Sequence, residues 1–374
     1  MVKETQIMQQ EILKYILDHK VSFSGDIEKQ DKLFNRVALD LFDYQFHNNL
    51  PFKRYAQSQR KTPLVTKKWQ DIPLMPIQGY KQLTLATTKI YDGEAVFLSS
   101  GTTDPTHRSH NYHPNFDIWD ASMKFPFKQY VLPDRDEITI LGLFPDETIN
   151  PSSSLSRYVS KTIQFFGDTN SQTFVNKTGI EFYKVIKSLK QAEKEQRPVM
   201  LLGASFSYVH LLDFLKKHEL QFNLPAGSRL FDTGGFKGLS RTITEQKLFQ
   251  SIKSIFNIDR NQYINMYGMT EISSQCYDET LYDVYHRQPI SYYKKFPAWV
   301  RVRILNPNTL QPVPDGQKGI VAYYDLANWH SCLAILTEDL GIKHGESFEL
   351  LGRIGGAESK GCSIAIDQLL SVNQ

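Results

Sequence analysis

VMLLGASFSYVHLLDFLKKHELQFNLPAGSRLFDTGGFKGLSRTITEQKLFQSIKSIFNIDRNQYINMYG, residues 199–268, is the stretch that decides the fold. It carries three short apolar runs, VMLLG at 199–203, SRLFDT at 228–233 and QYINMYG at 262–268, each of a length that suits a buried strand. Between them Val209, Leu212, Phe214 and Leu215, and then Leu248, Ile252, Ile255 and Phe256, recur at helical spacing. Strands alternating with helices in this way predict an open, largely parallel sheet flanked by helices. In such sheets ligands sit outside the carboxyl ends of the strands, so the residues that follow each run are where chemistry is to be sought.

Toward the N-terminus, ITILGLF at 138–144 and AVFL at 95–98 read as further buried strands of the same sheet. DIPLMPIQGY at 71–80 places two prolines among apolar residues and reads as an extended segment that lines or seals a pocket. Before it, Met8, Ile12, Tyr15 and Ile16 share one helical face and Leu33, Val37, Leu41 and Phe42 another. Beyond about Phe296 the texture becomes that of hairpins: WVRVRIL, a Pro and Asn turn cluster from Asn306 to Gly316, GIVAYYDL and FELLGRI. The expected organisation is a helical cap over 1–90, an α/β core over 91–295, a β-rich section over 296–350 and a tail over 351–374.

The composition agrees with a globular chain: of 374 residues, 41% are hydrophobic, 12% aromatic and 22% charged, which excludes global disorder and a coiled-coil rod. Lys and Arg number 43 against 40 Asp and Glu, interleaved along the chain, so the net field predicts neither nucleic-acid nor membrane-surface binding. MVKETQIMQQEILKYILDHK mixes charges into a helical period, and the expectation is neither signal peptide nor membrane anchor, with a cytoplasmic location. The three cysteines, Cys276, Cys332 and Cys362, show no CxxC or Cys/His spacing, which argues against a disulfide framework and structural zinc. Any special cysteine acts as a free thiol.

Four polar, glycine-bearing segments stand out. SSGTTDPTHRSH at 99–110 offers the N–H and hydroxyl donors that a polyphosphate needs, yet it lacks the GK[ST] ending of a Walker A loop and also reads as a solvated Ser/Thr turn. DTGGFKG at 232–238 is a backbone shelf or a tight turn. YGMTEISSQ at 267–275 sets a ring, a hydroxyl and a carboxylate side by side, suited to a base, a phosphate and Mg²⁺, though a plain Tyr-Gly turn fits as well. LTEDLG at 336–341, followed by LGR at 351–353, gives an acidic turn at Asp339 and a cation at Arg353.

In this order the four pieces resemble the adenylate-forming superfamily of acyl-CoA ligases, luciferases and adenylation domains. DTGGFKG with Ser240 and Arg241, YGMTEISSQ, WVRVRILNPNTLQPVPDGQKG, YDLANWHS, ILTEDLG and LGRIGGAESKGCS are similar, more narrowly, to the acyl-protein synthetase (LuxE) family, from about residue 70 onward. The resemblance implies an adenylate-forming fold without the full C-terminal lid domain. It also implies a ligase that uses ATP and Mg²⁺ to activate a fatty acid as acyl-AMP, loads the acyl group on its own cysteine and passes it to an acyl reductase, in bioluminescence-related members.

By that resemblance Ser99, Ser100, Gly101, Thr102 and Thr103 cradle phosphates, and Arg108 clamps the departing pyrophosphate. Gly234, Gly235 and Phe236 form the adenine shelf, and Tyr267 flanks the base with Gly268 and Met269 in the same turn. Thr270 and Glu271 serve the α-phosphate and Mg²⁺, and Asp339 with Arg353 serves the ribose. Cys362 in SKGCS is the acylated cysteine, with Gly361 leaving room for a ligand. Ten residues from Arg353 to Cys362 span at most roughly 33 Å, enough for a hinged tail. Cys276 and Cys332 are structural.

Two departures stand beside the likeness. Asp104 and Pro105 follow Thr103, with His107 and Arg108 as the nearby bases, where the superfamily has glycine and lysine. No lid supplies a catalytic lysine, which leaves Lys237 or Lys360 as replacements. Two rival readings stay open: a ligase whose acceptor is coenzyme A or a carrier protein, and a catalytically silent subunit that retains the fold for binding or assembly. No nucleic-acid or integral-membrane partner is expected.

Overall fold

The computed structural model describes residues 2–20, 26–91, 94–100, 107–234, 245–354 and 360–373. The chain forms two compact units, each built from separated stretches. One comprises Met1–Pro126, Met269–Gln275 and Tyr293–Gln374, the other Phe127–Gly268 and Cys276–Tyr292.

The second unit contains the expected parallel sheet. Thr139–Gly142, Val199–Ala204, Arg229–Thr233 and Tyr263–Tyr267 lie side by side, with Leu141 opposite Leu201, Leu202 opposite Phe231 and Asn265 opposite Asp232. Gln172–Thr173 pairs in parallel with Thr139–Gly142, and Cys276–Asp278 pairs antiparallel with Tyr263–Tyr267. Every residue of Val199–Ala204 and Arg229–Thr233 is buried, because helices cover a sheet of this kind on both faces and leave no polar side to alternate with. Leu189 from Phe182–Lys194, Leu212 from Ser205–Lys217 and Ile252 from Glu245–Phe256 meet strand residues Leu201 and Leu230 in one apolar core. Arg229 interrupts that run. Fully buried, it forks onto Asp134 through two bonds of 2.9 Å and donates to the Val131 carbonyl at 2.7 Å.

The first unit begins with the helices Val2–Asp18, Ile27–Asn48 and Leu50–Ser58. Met8, Ile12, Tyr15 and Ile16 are buried on one face of the first, as their spacing predicted. Asp26 starts the second by accepting from Glu28 N and Lys29 N, and Asn49 starts the third by accepting from Phe52 N. Val300–Leu305, Lys318–Asp325, Ala334–His344 and Ser347–Arg353 form an antiparallel sheet, with Lys294–Lys295 beside the last strand. The proline-bearing run at 71–80 is extended at Met75–Pro76, which pairs in parallel with Ile335 and Leu336.

Three expectations need correction. AVFL does not join the parallel sheet: Ala95–Leu98 pairs antiparallel with His110–His113 in a separate hairpin, and of its residues only Phe97 is buried. Four residues are too few for periodicity to separate these cases. LTEDLG is not a turn; it lies inside the eleven-residue strand Ala334–His344, with a register shift between Leu340 and Gly341. Lys360–Ser371 is not a free tail either: it is a helix with Ala365 and Leu369 buried.

Candidate active site

In the α/β unit the candidate positions follow the strand ends. Gly234 comes directly after Arg229–Thr233 with φ +82°, a left-handed conformation that glycine adopts without strain, and a Cβ there would meet nothing within 4 Å. Its carbonyl accepts from Ser205 Oγ at 2.9 Å. Beneath it lies a polar cluster that sequence reasoning missed. Asp232, 2% exposed, accepts from Tyr263 Oη at 2.5 Å, Ser205 Oγ at 2.8 Å and Asn265 Nδ2 at 3.2 Å. The negative charge of Asp232 and burial push the Tyr263 phenol well above its usual value, burial contributing most. The available signal was an acidic residue inside the apolar run SRLFDT. Tyr267, expected to flank a base, is buried at the end of Tyr263–Tyr267 opposite Cys276, and Gly268 follows it half-buried.

The other unit holds the remaining candidates. Ser99 and Arg108 close the neck of the Ser/Thr/Gly segment: Arg108 Nε donates to the Ser99 carbonyl at 2.5 Å, and Ser99 Oγ accepts from Ser109 N at 2.9 Å. The guanidinium is thus tied back to its own loop, and Ser100 beside it is exposed. Asp339 and Arg353 are brought together as cross-strand partners, with Arg353 Nε 3.8 Å from Asp339 Oδ1. Arg353 is 62% exposed and Asp339 13%, so the pair presents a cation outward from an anchored carboxylate.

Met269 and Thr270 are half-buried and Glu271 is buried. Asn111 Nδ2 donates to the Thr270 carbonyl at 3.0 Å and Asn328 Nδ2 to the Glu271 carbonyl at 3.0 Å. Tyr80, fully buried, donates to Ser331 Oγ at 3.1 Å; burial first, then Cys332 and the charge of Glu271, push its phenol far above the ordinary value. Among the described residues no group of three or more His, Cys, Asp or Glu side chains could hold a metal ion. Mg²⁺ is commonly held by only one or two carboxylates together with substrate phosphates, and the buried Glu271 is the one carboxylate of Met269–Gln275.

Cys276 and Cys332 are buried and outside any disulfide, and burial pushes the Cys332 thiol far above its usual value, which fits structural roles. Cys362 stands in the first turn of Lys360–Ser371, its side chain outside the described residues. Gly361 is not open to a ligand: its N–H donates to the Pro307 carbonyl at 2.9 Å, and a Cβ there would lie 2.6 Å from that oxygen. Gly101, Thr102, Thr103, Asp104, Gly235, Phe236 and Lys237 lie outside the described residues.

Comparison with known proteins decides the family. The model of the acyl-protein synthetase, LuxE, family matches residues 1–371. The chain belongs to that family. Its members are enzymes, and this chain is a ligase of that kind. The long-chain-fatty-acid–luciferin-component ligase of Aliivibrio fischeri is 23% identical over 357 residues, spanning 92% of this chain and 91% of the relative. The ligase of the same name from Vibrio harveyi is 23% identical over 351 residues, spanning 91% and 89%. Among solved structures, 2-hydroxyisobutyryl-CoA ligase in its postadenylation state with 2-HIB-AMP superposes with a TM-score of 0.65 at 12% identity, covering 90% of this chain and 70% of that one. The fold is therefore that of the adenylate-forming enzymes. The chain spans about half the length of ATP-bound MatB from Rhodopseudomonas palustris, 49%, at 14% identity and a TM-score of 0.49. Among the described residues no helix is long and apolar enough to cross a membrane.

Proposed function

We propose that this chain is an ATP-dependent fatty-acyl protein ligase that acylates its own Cys362. A carboxylate oxygen of the fatty acid attacks the α-phosphorus of ATP, the bond to the bridging oxygen breaks, and pyrophosphate leaves. The product is an acyl-adenylate. The Cys362 thiolate then attacks the acyl carbon, and AMP departs with the electron pair of the broken carbon–oxygen bond. A carboxylate becomes a competent acceptor only when its oxygen joins a good leaving group, and the resulting thioester keeps the acyl group ready for a reductase.

The observation that carries this reading is the family match across residues 1–371. The names of the ligases from Aliivibrio fischeri and Vibrio harveyi supply the long-chain fatty acid, and the fold relative solved with 2-HIB-AMP supports adenylation. In this reading Ser99 to Thr103 cradle phosphates, Arg108 leaves Ser99 to meet pyrophosphate, and Gly234, Gly235, Phe236 and Tyr267 hold the base. Thr270 serves the α-phosphate, Glu271 holds Mg²⁺, and the Asp339 carboxylate accepts from the ribose hydroxyls. The partner is an acyl-protein reductase.

The test is ATP–pyrophosphate exchange with a panel of fatty acids. Cys362→Ser is expected to keep exchange and lose the stable thioester. Loss of both activities in a folded variant contradicts the division of labour between adenylation and acyl capture.

A further inference from the structure

YDLANWHS at 324–331 helped to identify the family, yet nothing above gives it a role in the reaction. Its position assigns one. The segment Met269–Gln275, which carries Thr270 and Glu271, contains no helix or strand, so its shape depends on bonds from elsewhere. Several of them come from one stretch, Tyr323 to Asn328. Asp325 Oδ2 accepts from Ser273 N at 3.1 Å and Ser274 N at 2.8 Å, and Oδ1 accepts from Ser274 Oγ at 2.7 Å. Asn328 Nδ2 donates to the Glu271 carbonyl at 3.0 Å, and Tyr323 Oη donates to the Ser274 carbonyl at 3.2 Å.

Asp325 and Asn328 are themselves fixed. Asp325 is fully buried at the end of Lys318–Asp325 and also accepts from Ala327 N at 2.9 Å. Burial, only partly offset by these donors, raises its carboxyl to about 6, and its two oxygens face four donors, the pattern that an acceptor-only carboxylate satisfies. Gln45 holds the next turn by donating to the Asn328 and Trp329 carbonyls at 2.7 and 3.2 Å and accepting from Leu333 N at 3.0 Å. Trp299 Nε1 donates to Ser274 Oγ at 2.9 Å, which leaves the hydroxyl proton of Ser274 for Asp325. The arrangement is a clamp in which both Asp325 oxygens and the Asn328 amide N–H groups are engaged, while Asn328 Oδ1 is buried without a partner among the described residues.

We infer that Asp325 and Asn328 are positioning residues for adenylation, holding Thr270 and Glu271 where they meet the α-phosphate and its Mg²⁺. The inference rests on the roles proposed above for those two residues. Asparagine at 325 keeps the volume of the side chain but presents an NH₂ to Ser274 Oγ, whose proton then has no acceptor. The segment loosens, and since electrostatic stabilisation is lost with small misplacements, kcat suffers more than ATP binding.

The test measures pyrophosphate release with ATP and a fatty acid for Asp325→Asn, Ser274→Ala, Glu271→Gln and the double variant Asp325→Asn/Glu271→Gln, all normalised to folded protein by circular dichroism. Asp325→Asn is expected to lower kcat about tenfold or more with ATP KM within about threefold, and Ser274→Ala to lower it about threefold. The double variant is expected to be no slower than Glu271→Gln alone, because Asp325 acts through the segment that Glu271 occupies. Additive losses, or a folded Asp325→Asn with kcat within about twofold of the parent, overturn the clamp. If Asp325→Asn does not fold, an unchanged kcat in Ser274→Ala overturns it. An unaffected Glu271→Gln overturns the role proposed for Glu271 and the clamp's purpose with it, whereas an impaired Glu271→Gln beside unaffected Asp325→Asn and Ser274→Ala overturns the clamp alone.

Discussion

The two units place their candidate residues by different means. In the α/β unit Gly234 and Tyr267 stand where they do because the main chain of Arg229–Thr233 and Tyr263–Tyr267 carries them to the strand ends. In the other unit Thr270 and Glu271 stand in a segment without regular structure, held by side chains from Asn111, Ser122, Tyr323, Asp325 and Asn328. Backbone placement survives most side-chain changes and shows in apolar periodicity. Side-chain placement depends on a few polar groups distant in sequence and shows in no local pattern.

The comparison is challenged most severely at Arg229, a polar anchor inside the apolar unit. Burial alone would raise the Asp134 carboxyl, but the hydrogen bonds and charges of Arg229 and Arg135 outweigh it and hold it well below the usual carboxylate range. Arg229→Ala removes one partner and leaves a poorly solvated charge, so chemical denaturation is expected to show a loss of about 3–5 kcal/mol. A loss under about 1 kcal/mol would mean that the strands need no such anchor, and would widen the contrast between the units.

The legibility of the sequence follows the same division. VMLLG, SRLF and QYINM were readable because strands buried on both faces leave long apolar runs. Asp232 and Asp325 were missed because each looks like a stray charge at the end of such a run, and only the fold brings Ser205, Tyr263 and Asn265 to one and Ser273 and Ser274 to the other. LTEDLG misled because Asp and Gly are turn residues by propensity. In the strand Thr337 instead donates to the Val321 carbonyl at 2.8 Å and accepts from Asp339 N at 3.1 Å. The pairing of Asp339 with Arg353 is a property of strand register, which their spacing alone does not reveal.

A smaller effect separates two glycines around the helix that carries Cys362. Gly361→Ala drives a Cβ to 2.6 Å from the Pro307 carbonyl, a backbone atom, and is expected to lower stability by about 1–3 kcal/mol. Gly79→Ala meets Met75 Sδ at 2.8 Å and Leu369 Cδ2 at 2.9 Å, the ends of flexible side chains that can turn aside. Thermal melts should show the larger drop for Gly361→Ala. The reverse order would mean that the helix is held by its apolar face at Leu369 more than by its first turn.

A further effect concerns pH. Burial depresses His330 to about 4 from 6.5, so the unfolded chain binds that proton first. Its contribution to stability is fully present above pH 6.5 and is lost as pH falls toward 4. Asp325 has the opposite sign: raised from 3.8 to about 6, it contributes most below 3.8 and loses that contribution as pH rises through 6. Between pH 6.5 and 4 His330→Asn should therefore flatten the acid decline in stability and Asp325→Asn should steepen it. Urea titrations at intervals across that range read both slopes, and equal slopes in parent and variants would contradict the assignment.

The central claim is self-acylation, and intact-protein mass spectrometry after incubation with ATP, Mg²⁺ and a fatty-acid panel tests it most directly. The account predicts an acyl adduct that maps to Cys362 and is removed by hydroxylamine. Pyrophosphate release without any adduct would contradict it and move the acceptor thiol to coenzyme A or a carrier protein.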